Sequence, residues 1–206
     1  MFLPNWTYTL TDPGLKVFTL ANPLLPSIPD GGSVLEIGSC DTDFVGLVSK
    51  ENPTLTVTGI DQRDDNIKHR DRTKIVQADV MTHEFAPESF DAICSLSAIE
   101  HIGLGRYKDP LDPDGDIKTL NKVREWLKPG GWCYFDVPYT PEGYFLYNTN
   151  KCRCYDDRAL LERFGPHEVL GVANVTNTAF QQPIPTANQG GVRPWWYIAL
   201  LVRKDA

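Results

Sequence analysis

Apolar and polar positions fall in short blocks along the chain, and the blocks change period in a regular order. Val34, Leu35 and Ile37 form a brief apolar run between the turn Asp30-Gly31-Gly32 and Gly38, which predicts a buried strand. Residues 42–50 place Phe44, Val45, Leu47 and Val48 at helical spacing, and Asn52-Pro53 closes that helix. A second strand is predicted over 55–60, ending on Asp61, and a short third over 73–77, with Ala78-Asp79 at its tip. The stretch 63–72 between them is charged and at most weakly helical. Residues 89–96 read as a fourth strand. Ile117, Leu120, Val123, Trp126 and Leu127 mark a helix over 117–127, and Lys128-Pro129-Gly130-Gly131 supplies its stop. A fifth strand follows over 132–137, then an aromatic loop over 139–147. Residues 156–164 predict a helix with Asp156 and Asp157 in its first turn, where the helix dipole favours acids. Strands over 169–175 and 195–202 end the pattern, separated by a Pro/Gly loop over 181–191.

Strands alternating with helices predict a mostly parallel sheet covered on both faces. Two closing strands without an intervening helix predict an antiparallel pair at one edge. Residues 1–32, rich in Pro, Asn and Thr, read as an irregular lead segment, and 33–206 as one domain. The chain's 206 residues are enough for one sizeable core and cramped for two.

Composition narrows the partners. The formal net charge of -7 offers no global field to nucleic acid, so a nucleic-acid substrate is not expected. Five cysteines, an odd number without a regular framework, predict reduced thiols in a cytoplasmic compartment. No apolar run reaches the length of a membrane span. The opening Met1 to Trp6 lacks a basic segment and a long apolar run, and is not read as a secretion signal. Composition leaves the oligomeric state open.

The chemistry concentrates at strand tips. Parallel pairing of the first two strands sets Gly38 beside Asp61 at their carboxyl ends, where open α/β sheets bind nucleotide-like ligands. A glycine there lets a ligand approach the backbone, and the acid can accept hydrogen bonds from a ribose. The order of four features resembles the class I S-adenosylmethionine-dependent methyltransferases: Val34 to Gly38, Ile60-Asp61, Gln77-Ala78-Asp79-Val80, and the fourth strand followed by Leu127-Lys128-Pro129-Gly130-Gly131. The resemblance implies a Rossmann-like, doubly wound sheet of about seven strands. It also implies S-adenosylmethionine as the methyl donor. In that pattern Gly38 lets the methionine part lie on the backbone and Glu36 orients it. Asp61 holds the ribose, and Asp79 faces the adenine with Val80 beside the ring. The candidate cofactor residues are then Glu36, Gly38, Ser39, Cys40, Asp61, Gln62, Asp79, Val80 and Ser95. Cys40 and Thr42 stand where the family carries further glycines, which argues against a dinucleotide more than against a ligand without phosphate. A nicotinamide-dependent enzyme stays as a further alternative.

Ser97-Ala98-Ile99-Glu100-His101 follows the fourth strand, where the resemblance places the transferring methyl. Glu100 and His101 are the catalytic candidates, with His101 as general base for a hydroxyl. In some relatives an E-x-x-E-H run here binds a divalent metal. Ser97 replaces its first glutamate, so a divalent metal is not the expected cofactor, although carboxylate and imidazole suit one. A histidine merely packed under the loop is the plain alternative.

The run from Gly103 to Asp116 resembles a loop in a little-characterised set of methyltransferase-like proteins. It fails the calcium-loop pattern, because Ile117 and Val123 stand where Gly and Glu are required. We read it as one side of a substrate pocket, with Arg106 and Tyr107 as substrate contacts and Asp116 as the cap of the following helix. Tyr139 and Tyr144 are further substrate candidates, in an aromatic cluster that includes Phe145 and Tyr147. Asp136-Val137-Pro138-Tyr139 is rejected as a nucleobase motif because it ends the fifth strand, and Cys152-Arg153-Cys154 stays unassigned. The expected function is methyl transfer to a small-molecule or glycan-type acceptor, at a hydroxyl. The alternative is a non-catalytic protein of the same fold acting as a binding partner or regulator.

Overall fold

The computed structural model describes residues 24–42, 44–63, 73–147, 152–174, 184–185, 192–193 and 196–205. The first 23 residues of the lead segment, the weakly helical stretch beyond Arg63 and most of the Pro/Gly loop lie outside these residues. Seven strands form the main sheet: β1 (Ser33–Ile37), β2 (Thr56–Asp61), β3 (Lys74–Gln77), β4 (Phe90–Leu96), β5 (Leu127–Tyr139), β8 (Glu168–Asn174) and β11 (Trp196–Arg203). Two short hairpins stand beside it, β6 (Phe145–Tyr147) with β7 (Cys152–Cys154), and β9 (Ile184–Pro185) with β10 (Val192–Arg193). The helices are α1 (Phe44–Glu51), α2 (Gly115–Trp126) and α3 (Asp157–Phe164).

The order across the sheet is β3-β2-β1-β4-β5-β11-β8, parallel through β5, with β11 antiparallel to both its neighbours. This is the doubly wound sheet with an antiparallel pair at one edge that the alternation predicts. Successive strands run outward from β1 in opposite directions, to β2 on one side and β4 on the other. The crevice between β1 and β4 is therefore the topological switch point.

Alternating side chains of the central strands divide the core. Leu35, Ile37, Ile93, Phe135 and Val137 pack against Leu120, Val123 and Trp126 of α2 and Leu160 and Phe164 of α3. Val34, Ala92, Cys94 and Tyr134, from the opposite face, pack against Phe44, Val45 and Val48 of α1 and against Leu25 and Ile28. With both faces covered, β1 and β4 are buried almost throughout, which is why they read as continuous apolar runs.

Three local expectations change. Lys128-Pro129-Gly130-Gly131 falls within the bounds of β5, yet the pairing passes over it: Leu127 lies opposite Phe90 and Trp132 opposite Ala92. The turn chemistry therefore makes a bulge rather than a break. Part of the expected aromatic loop is strand β6, paired with the unassigned Cys152-Arg153-Cys154. Asp116 does not cap α2; Asp114 occupies that position without a side-chain cap, and Asp116 is buried in the first turn. For α3, Asp156 accepts from Ala159 N at 2.7 Å as a true N-cap. All five cysteines are buried and none is in a disulfide. Among the described residues no helix is long and apolar enough to cross a membrane.

Candidate functional site

Gly38 ends β1 with φ +84, a conformation that an L side chain resists. A Cβ there would stand 2.3 Å from Ala98 Cβ, so the tips of β1 and β4 meet across this glycine. The Asp61 carboxylate ties the adjacent tips together. One oxygen accepts from Cys40 N at 3.0 Å, and the other from Arg63 N at 2.9 Å. The Arg63 side chain lies 3.4 Å from both oxygens. Behind this turn, Glu36 is fully buried and accepts from Thr42 Oγ1 at 2.6 Å. Its other oxygen has no hydrogen-bond partner among the described residues, and burial pushes its carboxyl up to about 8. Asp79 shapes the turn after β3, accepting from Met81 N at 2.9 Å, and Val80 is buried beside it.

The tip of β4 is built differently. Ser97 has φ +47, unusual for a residue other than glycine. Its amide donates to Asp136 Oδ1 at 2.5 Å and to Asp136 O at 3.2 Å, which holds the strained residue in place. The Ser97 hydroxyl donates to Glu100 Oε1 at 2.6 Å and lies 2.9 Å from the Tyr197 hydroxyl. Glu100 is fully buried, its second oxygen lacks a partner among the described residues, and burial pushes its carboxyl up to about 8. His101 Nε2 lies 3.6 Å from Glu100 Oε1. Arg106 Nη1 lies 3.3 Å from both ring nitrogens of His101.

The aspartate-rich loop folds over this end. Asp109 accepts from Gly105 N and Tyr107 N, each at 3.1 Å, and Asp112 accepts from Asp114 N at 3.1 Å. Its acids thus serve as turn acceptors, and among the described residues no group of three His, Cys, Asp or Glu is arranged to hold a metal. Gln62 Nε2 donates to Tyr107 O, and the Arg63 and Arg106 guanidiniums lie 4.3 and 5.0 Å from the Tyr107 ring centroid.

Arg153, unassigned in the sequence, is the girder beneath. It is fully buried on β7 and donates to Ile102 O at 2.7 Å, Pro113 O at 3.0 Å, Asp112 O at 3.3 Å and Glu100 O at 3.4 Å. Asp116 balances its charge at 3.4 Å from Nε, and also accepts from Arg163 at 2.8 Å and Tyr155 at 3.0 Å. Asp116 is therefore the buried anion of this cluster rather than a cap.

These tips enclose a cavity of about 370 Å³, within the range of small-ligand sites. Of the expected residues, Gly38, Asp61, Gln62, Asp79, Val80, His101, Arg106 and Tyr107 line it together. Glu36, Ser39, Cys40, Ser95 and Glu100 are buried and absent from its lining. Tyr139 and Tyr144 lie elsewhere: Tyr139 donates to Asp157 at 2.9 Å, and the Tyr144 ring faces Arg163. Tyr147 of the same aromatic cluster reaches the cavity instead. Thr42, Arg63, Ser97, Asp109, Cys152 and Tyr197 also line it, and the sequence reading did not single them out as site residues. Ser97 carries a signal in its place directly after a buried strand; Tyr197, on the distant last strand, carries none.

A family model described as "Caenorhabditis protein of unknown function, DUF268" matches residues 34–169. The chain belongs to this family. The match spans the strand tips that bear Gly38, Asp61, Asp79, Ser97 and His101, and it ends before β11 with Tyr197. No curated protein matches the chain. Among solved structures it is similar to the 1,6-didemethyltoxoflavin-N1-methyltransferase of Burkholderia thailandensis, with bound S-adenosylhomocysteine. That similarity has a TM-score of 0.60 and 17% identity, over 91% of this chain and 76% of the other. It is similar to a coclaurine N-methyltransferase bound to N-methylheliamine and S-adenosylhomocysteine, with a TM-score of 0.67 and 14% identity, over 98% and 76%. It is similar as well to the [4+2]-cyclase SpnF, with a TM-score of 0.66 and 16% identity, over 94% and 82%. At these identities the likeness establishes a shared fold, the Rossmann-like doubly wound sheet.

Proposed function

We propose that this protein transfers a methyl group from S-adenosylmethionine to a small-molecule or glycan-type acceptor, at a hydroxyl, in the cytoplasm. The observation that carries the reading is one cavity at the switch point that gathers Gly38, Asp61 and Asp79-Val80 on one wall and Ser97 and His101 on another. The first wall suits the donor. Gly38 leaves the backbone open to approach, Asp61 presents a carboxylate to ribose hydroxyls, and Asp79 and Val80 flank the adenine place. Glu36, with an unpartnered buried oxygen behind Thr42, suits the cationic amino-acid end. Ser39, Cys40, Gln62 and Ser95 complete this wall or back it.

The bound donor supplies an activated methyl on a sulfonium, so the protein's task is alignment and proton handling. On this reading His101, with Glu100 behind it, accepts the acceptor's proton, and Arg106 and Tyr107 contact the acceptor. The second reading is a non-catalytic binding protein. One observation favours keeping it: Arg63 already engages the Asp61 carboxylate; and since a [4+2]-cyclase shares the fold, the fold by itself does not imply methyl transfer.

Calorimetry with S-adenosylhomocysteine tests the donor site. Binding by the wild-type chain, weakened about tenfold or more by Asp61→Ala, is expected from the loss of hydrogen bonds to a charged acceptor. Equal binding by the variant rejects Asp61 as the ribose acid. Transfer of labelled methyl groups to hydroxyl and amine acceptors then separates the enzyme from the binding protein.

A further inference from the structure

Glu100 cannot meet an acceptor directly, because it is fully buried and does not line the cavity. Ser97 stands between. A serine hydroxyl has one proton and two lone pairs. The Ser97 proton is committed to Glu100 Oε1 at 2.6 Å, and the Tyr197 hydroxyl lies 2.9 Å away on the other side. With Tyr197 donating, one lone pair of Ser97 Oγ is left for a group in the cavity that both residues line. The backbone holds this arrangement against strain. At φ +47 Ser97 adopts a left-handed conformation that a residue with a Cβ resists. Two acceptors on Asp136 fix its amide there. Ser97 and Glu100 are three residues apart on a tight turn, and Tyr197 arrives from the far strand β11, so the trio is assembled by the fold.

We propose that Ser97 is a catalytic residue: its hydroxyl relays the acceptor's proton to Glu100, with Tyr197 holding the hydroxyl in line. The relay rests on the methyl-transfer reading above and puts Glu100, reached through Ser97, in place of His101 as the final proton acceptor. Ser97 takes up the acceptor's proton and passes its own to the Glu100 carboxylate as the acceptor's lone pair bonds to the methyl carbon and the carbon–sulfur bond breaks. The sulfonium charge and the carboxylate charge disappear together, leaving a thioether, a methylated acceptor and a neutral Glu100. Burial raises the Glu100 carboxyl to about 8, so the relay runs through its ionised form, whose share grows as pH rises toward 8. His101, 3.6 Å from Glu100 Oε1, and Arg106 beside it are the cationic-capable groups on the cavity side, and Asp136 is the facing anion.

The test needs no acceptor. Sinefungin carries an amine on the carbon that replaces the methylated sulfur, so its extra group probes the proton-accepting position; S-adenosylhomocysteine lacks that group. Affinities of both are measured by calorimetry for the wild-type chain, Ser97→Gly and Glu100→Gln. Glycine suits the positive φ, so Ser97→Gly removes the hydroxyl without adding strain. The expected result is S-adenosylhomocysteine affinity within about threefold in all three proteins and a sinefungin preference reduced about tenfold in both variants, the effect of one charge-assisted hydrogen bond. An undiminished sinefungin preference in both variants overturns the relay while leaving the donor site intact. Binding of neither ligand by the wild-type chain overturns the donor reading itself, and the relay with it.

Discussion

At the residue scale the site depends on atoms that a small change would remove. Gly38 has both a positive φ and a neighbour 2.3 Å from where a Cβ would lie. Gly38→Ala should therefore cost about 1–3 kcal/mol in urea unfolding, and separate the β1 and β4 tips enough to abolish binding of S-adenosylhomocysteine. Glu36 makes a pH prediction. Its carboxyl is raised from an ordinary 4.5 to about 8 by burial, so between those values the folded chain keeps a proton that the unfolded chain has released. The contribution of this group to the stability of the ligand-free protein should be flat below pH 4.5 and fall as pH rises toward 8, with a slope of up to about 1.4 kcal/mol per pH unit. Glu100, raised for the same reason, contributes in the same direction. Urea unfolding across that range should show the fall in the wild-type chain and a shallower one in Glu36→Gln; an identical pH slope in both would reject the buried, protonated state.

At the element scale the surprise is β7. Cys152-Arg153-Cys154 has neither zinc spacing nor an amphipathic period, so its role was not legible in the sequence. In the structure Arg153 reaches four carbonyls in two segments that the chain separates, the turn bearing His101 and the end of the aspartate-rich loop. Its guanidinium shares the buried Asp116 carboxylate with Arg163 and Tyr155. Arg153→Met should cost about 3–5 kcal/mol, because four carbonyls lose their donor and Asp116 loses one of its two cations. Amide exchange should report faster opening over residues 99–116 than in β1 and β4. Uniform acceleration across the sheet would show instead that Arg153 supports the whole fold and not this segment. The same element explains Asp116: an acid in the first turn of a helix reads as dipole or cap chemistry until a buried arginine from another strand is seen to need it.

At the scale of the whole molecule, the alternation of apolar blocks was enough to read the sheet. Strands buried on both faces write themselves as continuous runs, and helices between parallel strands must cover them. The cavity then follows from strand order, because β2 and β4 leave β1 on opposite sides. A ligand that closes several strand tips together should stabilise the chain as a unit. S-adenosylhomocysteine at a hundredfold excess over its dissociation constant should add about 2.7 kcal/mol and raise the thermal midpoint, and Asp61→Ala should lose about half of that gain or more.

The sequence by itself determined the doubly wound class, the identity of the tips and the place of Gly38, Asp61, Asp79 and His101 on them. These are local facts: a run of apolar residues ends, a glycine or an acid follows, and the register of parallel strands does the rest. The tertiary structure decided which side chains reach the cavity and which stand behind it. It turned Glu100 inward and brought Tyr197 from the last strand to Ser97. It set Tyr147 where Tyr139 and Tyr144 were expected, and placed Arg153 under the loop. Each of those outcomes is a contact between residues 40 or more positions apart or a choice of side-chain direction. Burial and hydrogen-bond satisfaction, not pattern along the chain, select them.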